Sequence, residues 1–137
     1  MTLRRLKIRL LWALTATVAL LGAARADLVF KDDSGHEVRL KAPAQRIVTL
    51  APHATEILYA AGAGDRLVGT VDYSDYPAAA KKVTRVGSYD RIDIEALVAL
   101  KPDLVIAWET GNPAGQVEKL RTFGLTVYAS QPNRMED

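Results

Sequence analysis

Short apolar runs alternate with helix-patterned stretches from residue 45 onward, and few folds accommodate that alternation. RIVTL at 46–50, LVGTV at 67–71 and DLVIAW at 103–108 read as strands. The last is almost continuously apolar, as strands buried on both faces of a parallel sheet are. Between the first two, Pro52 suits the first turn of a helix, and Ala54, Ile57, Leu58 and Ala61 share one face at helical spacing, with Gly62 and Gly64 ending it. Asp93 is placed to cap a helix through Leu100 that buries Ile94, Leu97 and Val98, and Pro102 stops it. Asn112 caps, Pro113 opens and Gly124 closes a third helix, with Val117, Leu120 and Phe123 inward, before a last strand at 125–129. Residues 72–91 read as loop, and 28–40 as a hairpin around Asp33-Ser34-Gly35, joined to the rest by a linker at 41–45. The expected fold class is α/β: a mainly parallel sheet flanked by helices and preceded by a β-hairpin. Ligands of such sheets bind beyond the carboxyl ends of the strands, which singles out the loops 51–53, 72–76 and 108–112.

The first 26 residues of the 137 have a different character. Arg4, Arg5, Lys7 and Arg9 precede a 15-residue apolar run from Leu10 to Ala24, and Ala24-Arg25-Ala26 places small residues where a signal peptidase reads. This predicts a cleaved export signal, with Ala26 the last residue removed and Asp27 the new N-terminus; the run is shorter than the roughly 20 residues of a membrane span. Removing it changes the charge. The whole chain carries 18 basic and 16 acidic residues, but five of the basic ones and none of the acidic ones precede Asp27, so the remainder is at −3. That balance gives no basis for binding nucleic acid. The absence of cysteine removes disulfides, thiolate nucleophiles, thiolate metal sites and a lipid-modified cysteine after the signal. The expected location is the periplasm, as a soluble monomer.

Catalytic motifs are lacking. There is no Gly-x-Ser-x-Gly elbow, and Gly62-Ala63-Gly64 lacks the lysine of a phosphate loop and follows a helix instead of opening one. His36 and His53 lie 17 residues apart and form no metal-ligand pattern, so no metal site and no cofactor are expected. His36, in the hairpin, reads as exposed. His53, with Pro52 at a helix N-terminus, lies at the rim of the expected cleft and is a candidate ligand contact, weighed against an ordinary structural histidine. A secreted enzyme with His53 as base and Asp72 or Asp75 as its partner lacks a nucleophile. The aromatic residues carry more information: Tyr73, Tyr89 and Trp108 fall in or beside the strand-end loops, where rings suit a flat, bulky ligand. Tyr76, next to Pro77, reads as a cap on the core. Asp90, Asp93 and Glu95 read as solvated or capping acids.

In order, RIVTL, Ala-Pro-His-Ala-Thr-Glu, Ala-Gly-Ala-Gly, Tyr-Ser-Asp-Tyr-Pro at 73–77 and Leu-Lys-Pro-Asp-Leu-Val-Ile-Ala-Trp resemble the N-terminal lobe of periplasmic vitamin B12-binding proteins. These belong to the wider group that serves iron–siderophore and haem importers, with the helical-backbone (class III) architecture. The resemblance implies residues 27–44 as an N-terminal hairpin and linker, and 45–137 as the N-terminal lobe of the binding domain, the C-terminal lobe being absent. It implies a corrinoid, cobalamin, as transported ligand, and an inner-membrane ABC permease as partner. Haem or a ferric siderophore is the alternative ligand, and a truncated product without transport function the alternative status. By resemblance, Tyr73 matches a tyrosine that packs on the corrinoid and Trp108 a cleft tryptophan. Tyr89 stands where those proteins carry tryptophan, and Glu95 matches the glutamate that docks onto permease arginines.

Overall fold

The computed structural model describes residues 26–133, so the expected leader up to residue 25 and the helix start suggested by Glu136-Asp137 lie outside the described residues. Two strands, β1 (Leu28–Lys31) and β2 (Glu37–Leu40), form an antiparallel hairpin. A five-stranded parallel sheet follows, of β3 (Ile47–Thr49), β4 (Leu67–Thr70), β5 (Thr84–Arg85), β6 (Leu104–Trp108) and β7 (Val127–Ser130), in the order β5-β4-β3-β6-β7. Helices α1 (Pro52–Ala60), α2 (Ile94–Ala99) and α3 (Ala114–Thr122) fill three of the connections. The chain therefore builds outward from β3 in one direction through β4 and β5, and in the other through β6 and β7. The junction of β3 and β6 is the switch point at which α/β sheets open a crevice.

Alternation along the strands sorts the core onto two faces. Val48, Leu50, Val86, Val105, Ala107 and Val127 pack with Leu97 of α2 and with Val117 and Leu120 of α3. On the other face Ile47 and Leu67 pack with Leu58 of α1 and with Leu40 and Ala44. The helix starts and stops follow their residues. The Asp93 carboxylate accepts from Ala96 N at 3.0 Å as an N-cap, and Gly62 and Gly124 take the positive φ (77° and 81°) that ends a helix.

Several details depart from the sequence reading. Ile57, expected inward, is 52% exposed, and Ala61 is exposed too; Thr55 takes the buried place beside Ala54 and Leu58. Val98 and Phe123 also lie outward. In each case a short helix lies on a narrow sheet that covers only the middle of its apolar arc. The stretch 72–91 is not all loop: a 3-10 turn at Ala78–Lys82 leads into β5, whose two residues pair with Gly69 and Thr70. So short an edge strand has too little alternation to be visible in sequence. Tyr76 does not cap the core; it is 70% exposed.

The hairpin is fastened to the far edge of the sheet. Asp33 N donates to Ala129 O at 3.0 Å, and Gln131 N donates to the Asp33 carboxylate at 2.6 Å. The Asp32 side chain is fully buried. Its Oδ1 accepts from Ser34 N, Ser34 Oγ and His36 N, and its Oδ2 accepts from Ala129 N at 3.2 Å and faces Arg121 at 3.4 Å. The turn thus occupies the open side of β7, where an unpaired edge would otherwise invite another strand.

Candidate ligand-binding site

The site is assembled at the carboxyl ends of β3, β4, β5 and β6. From the end of β3, Ala51 leads into α1 with Pro52 at its first turn and His53 next. Both are half-buried, and the His53 ring meets Trp108 edge-on, centroids 5.2 Å apart at 85°. Trp108, the last residue of β6, is in turn tilted against Tyr89, centroids 6.0 Å apart at 50°. His53, Trp108 and Tyr89 form a continuous aromatic wall over the β3–β6 switch point. Tyr89 is 42% exposed, so part of the wall's ring surface is open to solvent.

Trp108 is seated by its own loop. A Cβ on Gly111 would enter the indole ring, so only glycine allows residues 108–112 to wrap so closely around it. Asn112, read in sequence as the cap of α3, does something else. The helix begins at Ala114 with Pro113 at its N-cap position and no side-chain cap. The buried Asn112 amide turns inward instead: its Oδ1 accepts from Trp108 N at 2.6 Å, and its Nδ2 donates to Leu50 O at 2.8 Å and Tyr89 O at 2.7 Å. Sequence reasoning missed this role because the partners lie 62 and 23 residues away, and an Asn-Pro pair before a helix carries the same local signature in either case.

Burial pushes the His53 imidazole below its ordinary value, opposed by the charge of Glu56. Its place in the first turn of α1 acts in the same direction. Its buried Nε2 has no hydrogen-bond partner, and neither Asp72 nor Asp75 pairs with it. Asp75 instead meets Arg85 at 3.2 Å, so the base–acid pair of the enzyme reading does not form. Among the described residues no group of three or more His, Cys, Asp or Glu side chains could hold a metal ion, and no helix is long and apolar enough to cross a membrane.

Tyr73 sits apart on the β4 loop, 79% exposed, with no ring contact to the wall among the described residues. Its backbone has φ 64°, a left-handed conformation costing a tyrosine about 1 kcal/mol. What holds it lies beneath. Thr49, Thr55 and Thr70 form a buried triangle of hydroxyls 2.7–3.0 Å apart, and Thr70 donates to Ser74 Oγ at 2.9 Å. Arg85 donates to the Ser74 carbonyl at 3.1 Å. Ser74, only 1% exposed, is therefore pinned from two sides, and its neighbour Tyr73 is presented to solvent without freedom to fold back. Glu95 lies exposed in the first turn of α2, on the same carboxyl edge of the sheet, and makes no ion pair among the described residues. Nearby, the Ser88 hydroxyl holds the Asp90 carboxyl below the usual carboxylate range.

Rings gathered at the switch point of a parallel sheet stand where such a sheet takes a ligand. Comparison with known proteins agrees: the sequence profile of the periplasmic binding protein family matches residues 47–136. The chain belongs to the periplasmic binding protein family. Among its relatives, a vitamin B12-binding protein of Vibrio vulnificus (strain CMCP6) is 53% identical over 96 residues, 70% of this chain and 35% of that protein. The crystal structure of the periplasmic vitamin B12 binding protein BtuF of Vibrio cholerae superposes with a TM-score of 0.63 at 56% identity, covering 65% of this chain and 35% of that one. The periplasmic heme-binding protein RhuT from Roseiflexus sp. RS-1 does so with a TM-score of 0.60 at 31% identity, over 64% of this chain and 34% of its own. The chain spans about a third of the length of the curated relatives it matches. The family is one of solute-binding proteins, not of enzymes, and the fold is that of the N-terminal lobe of its class III members.

Proposed function

We propose that the protein is the periplasmic solute-binding component of an ABC importer, which captures cobalamin and delivers it to the membrane permease. The observation that carries this reading is the wall of His53, Trp108 and Tyr89 at the switch point, with Tyr73 held out beside it. Three rings side by side offer the flat, largely apolar surface that suits a large planar macrocycle. Support comes from the vitamin B12-binding relatives, about half identical to this chain where they align, against the lower identity to the heme-binding RhuT. Pro52, by starting α1 at the crevice floor, sets where His53 stands. Residues 1–26 act as a cleaved leader, 27–44 as hairpin and linker, and 45–137 as one lobe of the binding domain. Cobalamin is cargo and not a cofactor, and the protein works as a monomer without nucleic acid.

The test is a calorimetric titration with cyanocobalamin of the protein expressed from its own gene. Saturable one-to-one heat, with quenching of Trp108 after correction for ligand absorption, is the expected result. No heat with cyanocobalamin, together with a Soret shift on adding haem that is lost in Tyr73→Phe, would transfer the assignment to haem.

Glu95 is the docking group in this reading, an exposed acid on the rim awaiting a basic partner. Glu95→Lys should leave the cyanocobalamin affinity unchanged and abolish uptake in cells that depend on this receptor, because one charge-assisted contact becomes a repulsion. Undiminished growth on limiting cobalamin would return Glu95 to the status of a surface acid.

A further inference from the structure

We infer that Asn112 is a positioning residue for ligand capture: its buried amide ties together the three backbone segments that carry the aromatic wall, and so holds Trp108 and Tyr89 ready for the ligand. This rests on the wall being the ligand site, as proposed above. The geometry is specific to an amide. One acceptor takes Trp108 N, and two donors reach Leu50 O and Tyr89 O, a combination that no other side chain of this size offers. An aspartate in its place would set a carboxylate against two carbonyl oxygens. All three partners are main-chain groups, so the amide sets where the chain runs, and the rings follow. Leu50 immediately precedes Ala51, Pro52 and His53, which makes the tie common to every member of the wall.

Capping does not account for this residue, because its side chain meets none of the free N–H groups of α3. Nor does core packing alone: Leu50, Val86 and Ile92 anchor the neighbouring segments in the core, but Asn112 is 5% exposed and polar, and its amide reaches the backbone beyond those anchors. A second support runs parallel to it. The Gln116 side chain accepts from Ile92 N at 2.8 Å, so α3 steadies the far end of the 86–92 loop while Asn112 steadies Tyr89. Without the amide tie, the 108–112 and 86–92 segments keep their own backbone hydrogen bonds but lose the link between them, and aligning their rings during binding would be subtracted from affinity.

Asn112→Asp, Asn112→Ala and a control, Leu67→Ala, which empties volume in the other core cluster at the amino end of β4, distinguish positioning from stability. Between Asp27 and Asp137 Trp108 is the one tryptophan, and the part of the emission that is lost in Trp108→Ala reports the wall. Both Asn112 variants should bind cyanocobalamin at least about tenfold more weakly and expose Trp108 to acrylamide in the free protein. Leu67→Ala should lower the urea midpoint yet leave affinity and quenching as in the parent. In a Tyr89→Ala, Trp108→Ala background, Asn112→Asp should cost no further affinity. A loss that persists at full size in that background, or variants that bind and quench like the parent, overturns the inference. Should the variants not fold, amide exchange of the unmodified protein decides it: Trp108 N–H should be protected like Val105 N–H, and loop-like exchange there removes the tie. If the parent fails to bind cyanocobalamin, the ligand assignment fails, while the quenching and exchange results still judge Asn112.

Discussion

Trp108→Ala is expected to weaken cyanocobalamin binding by about thirtyfold or more, on the order of 2 kcal/mol, the usual cost of deleting a central aromatic anchor. The ring is the middle member of the wall, with His53 edge-on to one side and Tyr89 tilted on the other. Its removal therefore takes away ring surface and also loosens both neighbours. Folding should survive, because Trp108 is half-buried at the end of β6, and the strand is carried by Val105 and Ala107, which stay packed. A second readout comes with it. Opening the space beside His53 lets water reach Nε2 and weakens the burial that depresses the imidazole, so its titration should move upward toward the ordinary 6.5. Calorimetry and the His53 ring signals by NMR measure both. An affinity within about threefold of the parent would place the ligand elsewhere.

The largest effect on stability is expected from Asp32→Ala, which should cost about 2–4 kcal/mol. The carboxylate has no solvent exposure, and it holds the turn through Ser34 and His36 and the sheet edge through Ala129 N and Arg121. Deleting it leaves the Ser34, His36 and Ala129 donors without this acceptor and takes from Arg121 one of its two carboxylates, the other being Glu118. Urea denaturation of parent and variant measures the loss, and a difference below about 1 kcal/mol would show that the hairpin docks without it. The same group gives the fold an acid limit. Burial works to raise its pKa, but the Ser34 hydroxyl and the Ala129 and His36 amides outweigh burial, and the net shift is downward from 3.8. A lowered folded pKa means stability that is complete above 3.8 and is lost as the pH falls below it through the folded value. Parent and Asp32→Asn should therefore differ most near neutrality and converge in strong acid.

Much of this architecture is legible one segment at a time. Apolar runs with helical stretches between them predict the parallel sheet; Asp93, Gly62 and Gly124 mark helix ends by side-chain and backbone preferences that act within a few residues. The strand-end placement of Tyr73, Tyr89 and Trp108 follows from those boundaries. Where the reading failed, the deciding contact was remote or the element too short. Ile57 and Val98 have the right spacing to be buried, yet which part of an apolar arc meets the sheet depends on how the helix lies across it. Tyr76 adjoins Pro77 in a loop whose course is set by Ser74 and Arg85 below it.

Local chemistry alone thus determined the fold class, most of the helix ends and the strand-end loops with their aromatic residues, because hydrophobic period, capping and φ preferences are written within a few neighbouring residues. Tertiary structure decided which rings touch, that His53 stands edge-on to Trp108 with its Nε2 buried and unbonded, and that Asp32 closes the sheet edge. It also turned Asn112 from a helix cap into a tie among three loops. A side-chain amide reads the same in sequence whatever it bonds to, and only folding brings carbonyls 23 and 62 residues away within its reach.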